Sequence, residues 1–386
     1  MIPYGRQDIS QADVDAVVKV LRSDFLTQGP VVPRFEEALA KKVGATYAVA
    51  VNSATSALHL AVLSLGLGKG DLLWTSPITF VASANCGRYC GADIDFVDID
   101  PNSFNICPVA LKKKLEKAKT NGRLPKIIIP VHLCGQSTLA EEIATIAWSY
   151  GVKIVEDASH AIGSRYKGNY VGDCRYSNIT VFSFHPVKII TSAEGGLATT
   201  NDAKLAQKMA LLRSHGVTRD PASMTEASHG SWYYQQVELG FNYRMTEMQA
   251  ALGLSQLDRL DEFVARRNAL AQRYDQLLDD LPVKVPVVHE DCYSSFHLYV
   301  IRLELDKIAR SHRDVFEHLR AKGIGVNLHY IPVHTQPYYR NLGFKEGDFP
   351  ASEGYYREAI SIPLYSGLTT QDQDRVVVAL REVLAS

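Results

Sequence analysis

Residues 125–164, "PKIIIPVHLCGQSTLAEEIATIAWSYGVKIVEDASHAIGS", decide the fold. Two short runs rich in Ile and Val flank a stretch whose apolar residues recur at helical spacing, and Gly151 stands at its end. Strand, helix and strand in succession are the mark of a parallel sheet covered on both faces. The second run ends in "EDASH", so Asp157 is expected at the carboxyl end of a parallel strand, where open α/β sheets bind their ligands.

The same alternation extends outward. Upstream, "TYAVAVN" (46–52) is a β-branched run that passes through a polar turn into "SATSALHLAVLSLGLGKGD", a helix stopped by Gly66 and Gly68. "DLLWTSP", the helical pattern around "FVASANCGRYCGA", and "DIDFVDID" complete a further unit. Residues 11–23 and 33–42 carry helical patterns ahead of the first strand. Downstream, "YSNITVFSF" and "GGLATTND" add two strands. Residues 1–250 are therefore read as a large α/β domain with an N-terminal arm. From 251 to 386 the character changes: "MTEMQAALGLSQLDRLDEFVARRNALAQRYDQLLDDL" reads as one long connector helix leading to a smaller α+β unit.

The bulk numbers exclude several classes. Lys+Arg number 41 against 42 Asp+Glu, a formal net charge of -1, so no field of one sign argues for nucleic acid or an anionic membrane surface. The start, "MIPYGRQDISQADVDAVV", lacks a basic region followed by an apolar core, and no run approaches a membrane span. The six cysteines are scattered, with only Cys86 and Cys90 close, so reduced thiols in a cytoplasmic protein are expected, with no metal site. The lysine-rich stretch 111–126 reads as a solvated helix face and loop.

Three features carry chemistry. "NSATSALHLAV" places Ser and Thr between a strand and a helix, where free backbone N–H groups suit a phosphate; Ser53 or Thr55 could equally be only an N-cap. Asp157 at its strand end needs a cationic partner or several N–H donors to stay ionised, or is a helix N-cap. Lys188, in "VFSFHPVKIITSAEGG", follows another apolar strand and precedes a glycine pair. Lysine is rarely buried unless paired or chemically used, and burial lowers its pKa enough to supply a neutral amine. A phosphate cradle, a carboxylate and a lysine at strand ends of one sheet match the needs of pyridoxal phosphate (PLP): an anchor for its phosphate, an anion for its pyridinium nitrogen and an amine for its aldehyde. Phe80 stands at a strand-to-helix turn, as a ring that stacks on a cofactor or as plain core. Asn242 and Arg244 precede a helix, where they can reach a phosphate, reach a neighbouring subunit or cap the helix. A nicotinamide fingerprint fails because "GLGKGD" follows a helix instead of opening one. A non-catalytic regulator on the same scaffold is disfavoured by the retention of Lys188 with Asp157.

"FSFHPVK" with "EGG", "VEDASHAIG", "NSATSALHLAV", "TFVASAN" and "GFNYRMTEMQAALGLSQL" resemble, in order and over nearly the whole chain, the blocks of the DegT/DnrJ/EryC1/StrS sugar-nucleotide aminotransferases, PLP enzymes of aspartate-aminotransferase-like fold. The resemblance implies that Lys188 forms the Schiff base and shuttles a proton, and that Asp157 pairs with the pyridinium nitrogen. Phe80 would stack on the ring with His160 near its other side. Thr55, Ser56 and Ser183 would hold the phosphate, with Asn242 entering from the partner subunit of a homodimer whose active sites are shared. Dehydratase members carry histidine in place of this lysine, so transamination is expected; Ser159 replaces the commoner alanine. The ends "MIPYGRQDIS", "SDFLTQGPVVPRFEEALA" and "NLHYIPVHTQPYYRNLGF" resemble the branch that aminates C4 of a UDP-linked 4-keto-2-acetamido-2,6-dideoxy-hexose from L-glutamate, on the route to pseudaminic acid and flagellin glycosylation. By that resemblance Tyr4, Arg6, Leu26, Thr27, Gln28 and Gly29 line the nucleotide-sugar site, completed by Ser56, Ser183, Asn242, Ile331, Pro332, Val333 and His334. The same chemistry on a bacillosamine precursor or on a dTDP- or GDP-sugar is the alternative, and Arg244 is the candidate for the donor's side-chain carboxylate.

Overall fold

A computed structural model describes residues 1–384. Seven strands form the central sheet: β1 (Tyr47–Val51), β2 (Leu72–Thr75), β3 (Asp93–Phe96), β4 (Ile127–Ile129), β5 (Lys153–Asp157), β6 (Ile179–Ser183) and β7 (Gly196–Thr200), in the order β1-β7-β6-β5-β4-β2-β3. All neighbouring pairs are parallel except those made by β7, which runs antiparallel to both β6 and β1. Ile127, Ile128 and Ile129 are buried, as a central strand covered on both faces requires.

Helices α1 (Gln11–Leu21), α2 (Val31–Val43), α3 (Ala54–Ser64), α4 (Ala82–Tyr89), α5 (Pro108–Thr120), α6 (Ala140–Trp148) and α7 (Ala203–Leu212) belong to this domain. On one face α3, α4 and α7 pack over Val49, Val155, Val181 and Ala198. On the other, α2 covers Phe182 and Leu197, while α5 and α6 cover Trp74, Ile128 and Ile154. The exposed lysines of α5 match the expected solvated face, except that Lys114 folds over the Trp74 ring and pairs with Asp95 at 2.7 Å.

The connector is two helices, α8 (Glu247–Leu257) and α9 (Leu260–Leu278), not one. At the break Arg259 leaves helical geometry (φ -99, ψ 5), and its guanidinium reaches Asp8 and Asp13 at 2.9 and 2.8 Å. Apolar spacing continues through 258–259, so periodicity alone could not reveal a break held by partners some 250 positions away. Packing changes over inside α9: Leu260, Phe263 and Val264 join the large-domain core, whereas Leu270, Ala271, Tyr274 and Leu278 join that of the small domain. The latter is an antiparallel sheet, β8 (Val283–Lys284), β9 (Tyr299–Leu303) and β10 (Ala359–Ile362), covered by α10 (His312–Ala321) and α12 (Thr370–Leu384); α11 (Pro350–Glu358) leads into β10. Ile2 of the N-terminal arm is buried in this second core. Among the described residues no helix is long and apolar enough to cross a membrane.

Candidate active site

The carboxyl ends of β4, β5 and β6 and the N-terminus of α3 open onto a cavity of about 590 Å³ between the two domains. Its large-domain wall includes Ser53, Thr55, Thr79, Phe80, Asp157, His160, Ser183 and Lys188; Tyr4, His297, Asn327, His329 and Tyr330 close it from the arm and the small domain.

Ser53 caps α3 in extended geometry and accepts the Ser56 N–H at 3.2 Å. This turn abuts the start of β7: a Cβ on Gly196 would stand 2.4 Å from Ala54 N and from the Ser53 carbonyl carbon. That close approach explains the glycine of "EGG". Gly196→Ala should lower thermal stability by about 1–3 kcal/mol or more and weaken PLP binding, because the backbone turn itself must move. Thermal melting and a PLP titration check this, and wild-type values in both would refute it.

Asp157 is buried, and its carboxylate accepts from Ser83 Oγ at 2.6 Å and the Ser159 N–H at 3.0 Å. Ser83 Oγ in turn lies 2.7 Å from Thr79 Oγ1. No helix follows Asp157, which closes the N-cap reading. Neutral donors satisfy part of the carboxylate and leave it free to face a cation in the cavity. Lys188 is not on the strand end itself. It sits five residues beyond β6, in a turn whose Lys188 N–H donates to the His185 carbonyl at 2.9 Å. Burial pulls its amine down to about 8, against the opposing attraction of Asp157.

His160 Nδ1 accepts the Cys134 N–H at 3.3 Å, so its ring proton is at Nε2, 3.0 Å from the Tyr330 hydroxyl. Burial, then the charges of Lys188 and His329, hold His160 well below the usual imidazole range. His329 is bracketed by Ser361 Oγ (2.8 Å from Nδ1) and Asn327 Nδ2 (3.3 Å from Nε2), and burial pushes it down to about 3. His297 packs 4.4 Å from His160, ring to ring, and its carbonyl accepts from the fully buried Arg267. Phe80 is 58% exposed, with its ring 6.2 Å from Tyr330, so it is not core.

The chain thus brings Tyr4, Thr55, Phe80, Asp157, His160, Ser183 and Lys188 together. It does not bring the others to the same cavity. Ser56 turns its hydroxyl back to Asn52 Oδ1 at 2.7 Å, because its position in the first turn of α3 points it into the protein. His334 is fully buried, bonded to Glu353 at 3.0 Å and packed on Phe349. Val333 and Pro332 are buried beside it, while Ile331 is exposed. Arg6 is exposed outside the cavity lining. Leu26–Gly29 lie against α8, where Leu26 O accepts the Glu247 N–H and Thr27 bridges Thr246. Asn242 and Arg244 precede α8 and bridge to Ser214 and Val51; neither caps α8, whose N-cap is Thr246.

Ser83, His297, Asn327, His329 and Tyr330 line or support the site without having been singled out by sequence reasoning. The one signal available was polar residues in otherwise apolar runs, as in "SSFHLYV" and "VNLHYIPV".

A family model for the DegT/DnrJ/EryC1/StrS aminotransferases matches residues 7–381. The spore coat polysaccharide biosynthesis protein SpsC of Bacillus subtilis is 39% identical over 99% of this chain and 97% of its own length. A UDP-4-amino-4,6-dideoxy-N-acetyl-beta-L-altrosamine transaminase of Campylobacter jejuni is 37% identical over 100% and 98%. Among solved structures, PseC of Helicobacter pylori, an aminotransferase involved in the biosynthesis of pseudoaminic acid, superposes with TM-score 0.91 at 31% identity, covering 100% of this chain and 99% of that one. The PLP form of Spr1654 from Streptococcus pneumoniae gives 0.90 at 30% identity, covering 100% and 98%.

Proposed function

The chain belongs to the DegT/DnrJ/EryC1/StrS aminotransferase family, and from that premise we propose that it moves the amino group of L-glutamate to C4 of a UDP-linked 4-keto-2-acetamido-2,6-dideoxy-hexose of β-L-arabino configuration. The product would be UDP-4-amino-4,6-dideoxy-N-acetyl-β-L-altrosamine, a step toward pseudaminic acid and the flagellin glycans made from it. That it is a PLP-dependent nucleotide-sugar aminotransferase follows from the family and from its solved relatives. The finer assignment is carried by the full-length similarity to the Campylobacter jejuni transaminase. The comparable similarity to SpsC favours a second reading, the same transfer onto another nucleotide-linked 4-keto-6-deoxy sugar.

The residues present fit the cofactor. The free N–H groups of α3 with Thr55 and Ser183 suit its phosphate, Asp157 its ring nitrogen, and Phe80 and His160 the two ring faces. When bound, PLP supplies an aldehyde that takes up the donor's amine and a ring that draws electrons from the adjacent carbon. Asp157 holds a proton at the ring nitrogen. Lys188 Nζ would take the proton from the donor's α-carbon and hold it beside the transferred nitrogen for its return, and would serve C4 of the keto sugar in the reverse sense. Reuse of one amine works because it stays tethered beside the reacting atoms.

The cavity of a single chain holds no arginine, although a diphosphate and a dicarboxylate both call for one. Arg6, Arg244, Asn242 and Leu26–Gly29 lie outside it, and the nearby segment exposes Trp232 and Leu239 at 72% and 79%. A homodimer in which each subunit completes its partner's site accounts for both facts.

Incubation with L-glutamate and the UDP-keto sugar, with the product identified by mass and NMR, tests the assignment. Amination of a different nucleotide sugar in its place would select the second reading. Uptake of PLP by the cofactor-free protein should accelerate as pH rises through about 8 and then level off, because only the free amine attacks. Stopped-flow absorbance measures this, and a midpoint near the ordinary 10.5 would refute it.

A further inference from the structure

Next to Asp157 in the chain stands a second buried carboxylate that the chemistry above does not use. Glu156 points to the opposite side of β5, as alternate strand positions must. Its Oε2 accepts from Thr180 Oγ1 at 2.6 Å and Ser177 Oγ at 2.9 Å. Its Oε1 faces His132 Nε2 at 3.5 Å, an ion-pair approach outside hydrogen-bond geometry, and that buried nitrogen has no hydrogen-bond partner. The Thr138 N–H, 2.9 Å from His132 Nδ1, makes that atom the acceptor and leaves the ring N–H at Nε2, facing Glu156. The backbone N–H of the same His132 donates to the Asp157 carbonyl at 3.0 Å, and the Asp157 N–H donates to Pro130 O at 2.9 Å. The parallel pairing thereby continues past the end of β4, with Val131 opposite Asp157.

We propose that His132 is a positioning residue, gripping Glu156 through its ring and Asp157 through its backbone so that the strand end carrying Asp157 keeps its place beneath the cofactor ring. The inference rests on the reading that Asp157 faces that ring. Two adjacent carboxylates on a buried strand end are an unstable arrangement unless each has its own donors. Burial pushes the Glu156 carboxyl up, and the facing His132 ring with the hydrogen bonds from Thr180 and Ser177 more than offsets it, leaving it below its usual value. Without the ring N–H, Glu156 Oε1 faces no polar hydrogen and the cheapest relief is a shift of β5 away from Val131, which moves Asp157 with it.

The test compares wild type with His132→Leu, His132→Gln and the isosteric Glu156→Gln, measuring the PLP dissociation constant, the pH titration of the bound cofactor's absorption band, and melting of the PLP-free protein. His132→Leu should weaken PLP about tenfold and move the band's pH midpoint, with most of both effects restored in His132→Gln, which keeps an N–H near Glu156. Glu156→Gln should move the midpoint in the same direction even if His132→Leu fails to fold. PLP affinity and midpoint equal to wild type in the folded variants, with only the melting temperature lowered, would overturn the proposal. A wild-type protein whose PLP band is indifferent to Asp157→Asn would instead overturn the reading beneath it.

Discussion

Lys188→Ala should lower amino transfer by about 10⁴-fold or more, with PLP still able to enter the cavity. The size of the effect follows from what would remain. Of the four histidines lining the cavity, His160, His297 and His329 are held below the ordinary imidazole range, by burial first and then by neighbouring charges, Lys188 among them, while His185 is exposed, 4.0 Å from Glu194. His160 and His329 are also fully engaged, with Cys134 and Tyr330 and with Ser361 and Asn327 respectively. Burial pushes the Tyr330 hydroxyl upward, away from any role as a base near neutrality. None of these three buried histidines, nor Tyr330, can replace a tethered amine that is free near pH 8. Mixing the variant with L-glutamate and following the cofactor's absorption isolates the first half of the reaction. Turnover within tenfold of wild type would remove Lys188 from its role.

Asp157→Asn should cost about 10²–10³ in kcat with little loss of fold, whereas Asp157→Ala should also destabilise the protein by about 1–3 kcal/mol. The asparagine keeps an acceptor for Ser83 Oγ or the Ser159 N–H, the two donors at 2.6 and 3.0 Å, but removes the charge. Alanine takes the acceptor from the Ser159 N–H and leaves Ser83 Oγ only Thr79 Oγ1 and the Phe80 carbonyl. Separate readings of kcat and of melting temperature distinguish the electrostatic loss from the packing loss. An asparagine variant with wild-type kcat would show that the carboxylate's charge is not what the reaction uses.

The anchors of the site were legible for a local reason. Asp157 and the Ser53–Thr55 turn each close a buried strand, Lys188 follows one by five residues, and the end of a buried strand is a place that sequence pattern can mark. The opposite wall was not legible. His297, Asn327, His329 and Tyr330 come from a domain more than a hundred residues downstream, and they meet Lys188 only because α9 carries the chain from one core to the other. The direction of a side chain was equally hidden: Ser56 and His334 have the right chemistry, but the first points back into the α3 turn and the second into a cage with Glu353 and Phe349.

By itself the sequence determined the alternating α/β architecture and which strand ends carry a carboxylate and a polar Ser/Thr turn, because hydrophobic period and turn chemistry are local properties; the amine lies five residues past its strand. Only the tertiary structure decided which of the nominated residues share a cavity, where the connector breaks and that His132 sits between the Glu156 carboxylate and the Asp157 backbone carbonyl. Those outcomes depend on contacts between segments far apart in the chain, whose distances no local pattern encodes.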